Sequence, residues 1–134
     1  MRAMDVDIGR DTLVALAAIA LDHYYTSLES SFAMIARSMD EAAPAGADWH
    51  RTLLAQMARP GSARDAVLRE GTAEALREVL KFRHFLRHAY AVDLAWTRMR
   101  DLATSLPAWH MDVITDLEAF RAFVATCLCA ATPP

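Results

Sequence analysis

The longest periodic pattern in the sequence is DTLVALAAIALDHYYTSLESSFAMIARS, residues 11–38. Apolar side chains recur in it at alternating spacings of three and four, which is the period of a helix with one buried face. This apolar stripe consists of Val14, Ala18, Leu21, Tyr25, Leu28, Phe32, Ile35 and Met39. The segment is therefore predicted to form one long amphipathic helix.

A second stripe on the same segment holds the small side chains Ala17, Ala20, Ser27 and Ser31. Small residues let a partner helix approach closely. The partner helix could belong to the same chain or to a second copy, and the sequence leaves both open.

Shorter helices are expected downstream of this segment. Asp48 can cap a helix that reaches Met57, and Ser62 with Asp65 matches a capping box for one or two further turns. Thr72 can cap a helix from Ala73 to Tyr90.

Two more helices complete the prediction. Asp93 can cap a helix that ends before Pro107, because the residue before a proline is disfavoured in a helix. The final helix is expected from Ala108 to Ala130. The predicted fold is thus all-α, an up-and-down bundle of four to five helices in a single domain over residues 1–134.

Composition supports this fold and limits the possible functions. The chain has 134 residues, is 54% hydrophobic and contains only 4 Gly and 5 Pro, which favours helices. Its net charge of −3 gives no overall attraction to nucleic acid, so an RNA contact would need a local basic patch. Cys127 and Cys129 cannot join distant segments and are expected to be reduced thiols.

The N-terminal region indicates neither secretion nor membrane insertion. Asp5, Asp7 and Asp11 occupy the place where a signal peptide would carry basic residues. The longest apolar run, residues 13–21, is about half the roughly 20 residues that a membrane span needs. The protein is expected to be cytoplasmic and to have no membrane partner.

The chemistry is concentrated in KFRHFLRHAY, residues 81–90. On an ideal helix, Arg83, Arg87 and Tyr90 form one stripe, and His84 and His88 form a second. Arg83 and His88 would diverge by about 140° around the axis. A cleft completed by a second subunit is the simplest way to bring them together.

A metal site is a weaker hypothesis for the same residues. His84 and His88 have the spacing of two zinc ligands on one helix face, but no Glu follows the first His and no third ligand is evident. We therefore expect no metal and no cofactor. His23, His50 and His110 are dispersed along the sequence and are expected at the surface or an interface.

Arg83, His88 and Tyr90 match the R-x-x-x-x-H-x-Y motif, and here the chain resembles the HEPN-domain proteins, specifically the HepT-like toxins. The resemblance extends to YYTSLESSF, DWHRTLLAQM and ALREVLKFRHFLRHAYAVDLAWTRM, and so covers most of the chain. One position departs from the pattern: the residue after the motif arginine is often Asn or Asp in the family, whereas here it is His84.

The resemblance implies a metal-independent ribonuclease that acts as a homodimer with its two motifs facing each other. It also implies a partner, a nucleotidyltransferase antitoxin of the MNT type, which in some members adds AMP to the motif tyrosine. Tyr90 is the corresponding modification site in this sequence.

Metal-free RNA cleavage needs a base, an acid and a cation that stabilises the growing phosphorane charge. His88 suits the proton transfer and Arg83 the charge stabilisation. Tyr90 is expected to orient the scissile phosphate, while Lys81, His84 and Arg87 are candidate RNA-binding residues. The alternative is a catalytically silent HEPN module that binds, and is modified by, the nucleotidyltransferase.

Overall fold

The computed structural model describes residues 9–88 and 92–131, apart from the side chains of residues 92–94. Its helices are α1 (Arg10–Met39), α2 (Trp49–Met57), α3 (Glu70–His88) and α4 (Val92–Ala131). Within these ranges there are four helices and no strand, which confirms the predicted all-α bundle. None of the described helices is both long and apolar enough to cross a lipid bilayer.

Contacts between the long helices define their directions. Arg83 lies over the ring of Tyr25, and Arg87 reaches back to Asp22, so α3 runs antiparallel to α1. Near the start of both helices, Arg10 of α1 lies over the ring of Trp96 of α4. Further along, the ring of Tyr24 contacts that of Trp109, so α1 and α4 run parallel.

The short helix α2 runs in the same direction as α1. His50 at its start contacts Glu29, and Gln56 near its end contacts Asp40. Helix directions therefore do not alternate strictly along the chain. The segment before α2 returns beside α1, which brings the start of α2 to the middle of α1, where Arg83 also lies.

The core lies where the four helices meet. The apolar stripe predicted on residues 11–38 supplies its α1 side, since Tyr25 and Phe32 are almost fully buried. The buried apolar cluster consists of Tyr25, Phe32, Ala36, Leu53, Leu54, Met57, Val67, Leu68, Ala73, Leu76, Val79, Trp109, Val113 and Phe120. Burial of this apolar surface is the main force that holds the helices together.

The predicted break before Pro107 is wrong, because α4 continues through this residue from Val92 to Ala131. A proline inside a helix removes one backbone hydrogen bond and costs about 3 kcal/mol. Leu106, Trp109 and Val113 lie on the core side of α4 on both sides of Pro107. Their burial offsets the cost, since each large apolar side chain contributes about 1.5–3 kcal/mol.

Two local predictions before α3 are also wrong. Ser62 lies in a bend and Asp65 in irregular backbone, so neither is part of a short helix. Helix α3 begins at Glu70, so Thr72 lies inside it instead of capping it. Thr72 is buried and its hydroxyl bonds to the carboxylate of Asp116, a tertiary contact that local capping rules do not anticipate.

A buried ion pair fixes the connection between α2 and α3. Arg64 donates to both carboxylate oxygens of Asp40, at 2.8 and 2.7 Å, and its side chain is 1% exposed. Gly61 lies against this pair: a Cβ at that position would come within 2.8 Å of an Asp40 oxygen. Glycine is thus required at residue 61 by close approach.

Two carboxylates should make stability depend on acid pH. Hydrogen bonding from Arg64, with a further bond from Gln56, holds the pKa of Asp40 below its ordinary value in spite of burial. Burial raises the pKa of Asp116, but hydrogen bonds from Thr72 and Arg69 outweigh it and leave the pKa lowered.

A carboxyl whose folded-state pKa is lowered stabilises the fold above its unfolded pKa, about 4, and loses that contribution as the pH falls through the folded pKa. We therefore expect the urea midpoint of unfolding to drop progressively below about pH 4. Asp40→Asn should flatten this drop. An equally steep acid dependence in Asp40→Asn would contradict the assignment to Asp40.

Candidate active site around Arg83

Arg83 is the most deeply placed of the described motif residues, at 9% exposure. Its guanidinium carbon lies 5.0 Å from the ring centre of Tyr25. Nη1 is 3.7 Å from Oδ1 of Asp22, and Nη2 is 3.9 Å from Oε2 of Glu29. Helix α1 thus holds this cation with one aromatic face and two carboxylates.

The ring beneath Arg83 is neutral. Burial, followed by the nearby charge of Glu29, raises the pKa of Tyr25, and the opposing effect of Arg83 is smaller. The phenol therefore keeps its proton, and Tyr25 acts towards Arg83 through its π face.

His50 joins this cluster from α2. Its Nδ1 is 2.6 Å from Oε2 of Glu29 and 3.3 Å from Nη2 of Arg83. Its ring packs against the ring of Trp49, with centres 3.7 Å apart. Three helices therefore meet at one charged cluster, which consists of Asp22, Tyr25, Glu29, His50 and Arg83.

A cavity of about 610 Å³ opens between α2 and α3 beside this cluster. Its lining is Ala47, Asp48, His50, Arg51, Arg77, Leu80, Lys81, Arg83, His84 and Arg87. Five of these side chains are Arg or Lys, two are His, and only Asp48 is acidic. We call it the basic cavity; it can attract anions although the whole chain is acidic.

The structure brings most of the predicted site residues to the basic cavity. Lys81, Arg83, His84 and Arg87 line it. His88 does not line it but is exposed at the end of α3, with its ring centre 4.4 Å from that of His84. Tyr90 lies outside the described residues.

Two cations of the basic cavity, Lys81 and Arg87, have exposed partners, whereas Arg77 is paired with both Glu70 and Glu74, at 2.9 and 2.7 Å. Arg87 is 3.5 Å from Asp22, and Lys81 is 2.9 Å from Glu78, on side chains that are 60% and 67% exposed. Exposed ion pairs contribute little, about 0–1 kcal/mol, so a phosphate can replace them. Arg83, in contrast, is enclosed by its partners.

Sequence reasoning missed the side chains that surround Arg83. His50 was expected at the surface or an interface, but it contacts Glu29 and Arg83 at the site. One signal was available: Glu29 lies four residues after Tyr25 and three before Phe32, on the buried stripe of α1. A buried carboxylate requires a partner.

The donor set does not form a metal site within the described part of the chain. In residues 9–88 and 92–131, no three or more His, Cys, Asp or Glu side chains converge as ligands would. The basic cavity is suited to anions.

A family model described as HepT-like protein matches residues 16–124. The chain belongs to the HepT-like family. This confirms the family that the motif and the flanking segments indicated. Membership of this family indicates a module of the HEPN toxin or ribonuclease type. No curated protein and no solved structure matches the chain significantly.

The HepT-like match contains the whole cluster around Arg83. It begins at residue 16 in α1 and ends at residue 124 in α4, so all four helices contribute to it. The side chains from α1 and α2 that enclose Arg83 are therefore part of the HepT-like domain.

Proposed function

We propose that this HepT-like chain is the toxin of a toxin–antitoxin pair and cleaves RNA as a metal-independent endoribonuclease. The observation that carries the proposal is the basic cavity beside Arg83 in a chain whose net charge is −3. An acidic protein that binds a polyanion needs such a local concentration of cations. Family membership supports the same conclusion.

The motif residues divide the work by their chemistry. Arg83 stabilises the charge that develops on the phosphorane, because its planar fork matches two phosphate oxygens. His88 transfers a proton, and Tyr90 orients the scissile phosphate. Lys81, His84 and Arg87 hold the flanking RNA.

Cleavage by the purified protein is the direct test. The chain, freed of its partner, is incubated with a defined RNA in buffer containing EDTA. We expect fragments that end in a 2′,3′-cyclic phosphate, because attack by the ribose 2′-hydroxyl gives this product. RNA affinity should fall with added salt, as phosphate contacts require. Intact RNA after prolonged incubation would overturn the proposal.

The enclosure of Arg83 favours a second candidate, the catalytically silent HEPN module. Its guanidinium already faces Asp22 and Glu29, so substrate phosphate would compete with two carboxylates. A silent module would bind the nucleotidyltransferase but leave RNA intact in the same assay. Cleavage of RNA by the purified chain therefore excludes it.

We expect a homodimer in solution, and an open face of α1 supports it. Leu16, Ile19 and Met34 are 55%, 56% and 63% exposed. Between them, Ser27 and Ser31 donate to main-chain carbonyls one turn earlier, so their hydroxyls need no other partner. Ile19 also lies one turn from Asp22, the partner of Arg87, so a second copy on this face would lie beside the basic cavity.

Light scattering at micromolar concentration checks this prediction. The wild-type chain should have twice the mass of the monomer, and Ser27→Arg should be monomeric because an arginine would prevent close packing on α1. Ser62→Arg, on an exposed loop, is the matched control and should remain dimeric. A monomeric wild type contradicts the homodimer, and a dimeric Ser27→Arg excludes this face as the contact.

The proposed antitoxin is an MNT-type nucleotidyltransferase that adds AMP to Tyr90. Tyr90 follows Arg83 by seven residues, two helical turns, on the stripe that the sequence predicts. A phosphate there would occupy the donors of Arg83 and Arg87 and repel RNA. Mass spectrometry after co-expression should find a nucleotide on Tyr90 and none on Tyr90→Phe. Equal neutralisation of Tyr90→Phe would contradict control by modification.

A further inference from the structure

Metal-free cleavage of RNA needs two proton transfers, one from the attacking 2′-hydroxyl and one to the leaving 5′-oxygen. Within one protomer, the motif offers one histidine for this work, His88. We infer that His50, oriented by Glu29, is the second catalytic residue and acts as the general base. This inference rests on the ribonuclease function proposed above.

The contact with Glu29 determines which nitrogen of His50 is free. A carboxylate only accepts hydrogen bonds and a guanidinium only donates them, so Nδ1 cannot bond to both Glu29 and Arg83. The contact with Oε2 of Glu29, at 2.6 Å, is much shorter than that with Nη2 of Arg83, at 3.3 Å, so Nδ1 carries the proton and donates it to Glu29. Nε2 is then the nitrogen with the free electron pair, and no hydrogen bond joins it to another described residue. A carboxylate on Nδ1 fixes the tautomer that leaves Nε2 as a base.

The position of the imidazole is also fixed. Glu29 is 6% exposed and cannot turn towards solvent, and the Trp49 ring packs on the imidazole at 3.7 Å. The His50 side chain nevertheless remains 32% exposed. A base that is held in place but accessible is organised before the substrate arrives.

His50 faces the place where RNA would bind. It lines the basic cavity together with Arg83, His84 and Arg87. Nη2 of Arg83 lies 3.3 Å from Nδ1 of His50, so a phosphate on that guanidinium is next to the imidazole. His23 and His110 do not line this cavity.

In the proposed step, two proton transfers accompany the exchange of one bond to phosphorus for another. Nε2 of His50 accepts the proton of the 2′-hydroxyl while the 2′-oxygen forms a bond to phosphorus. The bond from phosphorus to the 5′-oxygen breaks, and the His88 imidazolium donates a proton to that oxygen. The products are a 2′,3′-cyclic phosphate and a 5′-hydroxyl, with one proton moved from His88 to His50.

The first test compares His50→Asn with the wild type in single-turnover cleavage. Asparagine keeps an N–H near the position of Nδ1, so the bond to Glu29 and the fold are retained, but it offers no base. We expect the cleavage rate to fall on the order of 100-fold, with RNA affinity unchanged. His23→Asn, at an exposed position of α1, is the matched control and should keep the wild-type rate.

The second test separates the base from the acid. In a substrate whose leaving 5′-oxygen is replaced by sulfur, the thiolate departs without a proton donor. His88→Ala should recover activity on this substrate, whereas His50→Asn should remain slow. Recovery of His50→Asn on the sulfur substrate would overturn the assignment of His50 as the base.

Glu29 is a positioning residue, and its role is tested by spectroscopy as well as by rate. Nitrogen-15 NMR of the wild type should show His50 protonated on Nδ1, and Glu29→Gln should lose this tautomer preference. In the same variant kcat should fall and KM should stay constant. A His50 ring protonated only on Nε2 in the wild type would overturn the inference.

The outcomes distinguish this inference from the function on which it rests. If the wild type cleaves RNA and His50→Asn cleaves it equally fast, the role of His50 is wrong and the ribonuclease function stands. If the wild type leaves RNA intact, both fail.

Discussion

Arg83→Lys is expected to lower the rate of RNA cleavage by about 100-fold or more while the protein remains folded. Lysine keeps a positive charge opposite Asp22 and Glu29, so the buried carboxylate of Glu29 retains a cation. It lacks the planar fork that can contact two phosphate oxygens at once. Single-turnover cleavage and thermal unfolding of the same preparation measure the two effects.

Arg83→Ala is the informative contrast. In the structure the Arg83 side chain is 10% exposed beside the 7% exposed side chain of Glu29. Removing one partner of a buried ion pair costs about 3 kcal/mol, which corresponds to roughly 10 °C in Tm. A fully active Arg83→Lys, or an Arg83→Ala as stable as the wild type, would contradict these roles.

The parts of the fold that could be predicted depend on periodic burial. Helix α1 was expected over residues 11–38 and is found at Arg10–Met39, because its apolar residues repeat with the helical period and bury one face. Helix α2 was expected after Asp48 and is found at Trp49–Met57, although the Asp48 side chain makes no capping hydrogen bond.

The parts that failed depend on local rules that tertiary contacts override. A proline was expected to end the helix before it. Trp109 and Val113, which follow Pro107, are buried in the core, and α4 continues through the proline. Thr72 was assigned as a cap from its residue type, yet its hydroxyl bonds to Asp116 of α4. Neither partner is close in sequence, so neither effect is visible in a local window.

In the candidate site, too, local sequence patterns could be predicted and contacts between distant residues could not. Lys81, Arg83, His84 and Arg87 could be predicted to lie together, because they follow one another on a single helix. The contacts of Arg83 with His50 and of His50 with Glu29 join residues that are 33 and 21 positions apart. Their convergence depends on how α2 returns beside α1, which no motif spacing encodes.

Net charge and local charge also lead to different conclusions. The value of −3 argued against a strong attraction to RNA. The acidic residues are distributed over the chain, whereas Arg51, Arg77, Lys81, Arg83 and Arg87 gather on one cavity. A cavity lined mostly by cations attracts an anionic ligand locally, even in a chain of net negative charge.

The two motif residues contribute differently to the stability of the fold, because Arg83 is buried and His88 is exposed. Substitution of Arg83 affects a charged cluster inside the bundle, so its effect on activity must be separated from an effect on stability. His88 is the last residue of α3 and is exposed. Its ring contacts the ring of His84, with centres 4.4 Å apart.

We therefore expect His88→Ala to lower kcat on the order of 100-fold while leaving Tm within about 2 °C of the wild type. His84→Ala loses the same ring contact but keeps His88, and should mainly weaken RNA binding. Comparing kcat and KM of these two variants, with exposed His23→Ala as the neutral control, separates proton transfer from support of the neighbouring ring. Equal losses of kcat in His84→Ala and His88→Ala would indicate that the pair acts only as a unit, and wild-type kcat in His88→Ala would exclude it from the chemistry.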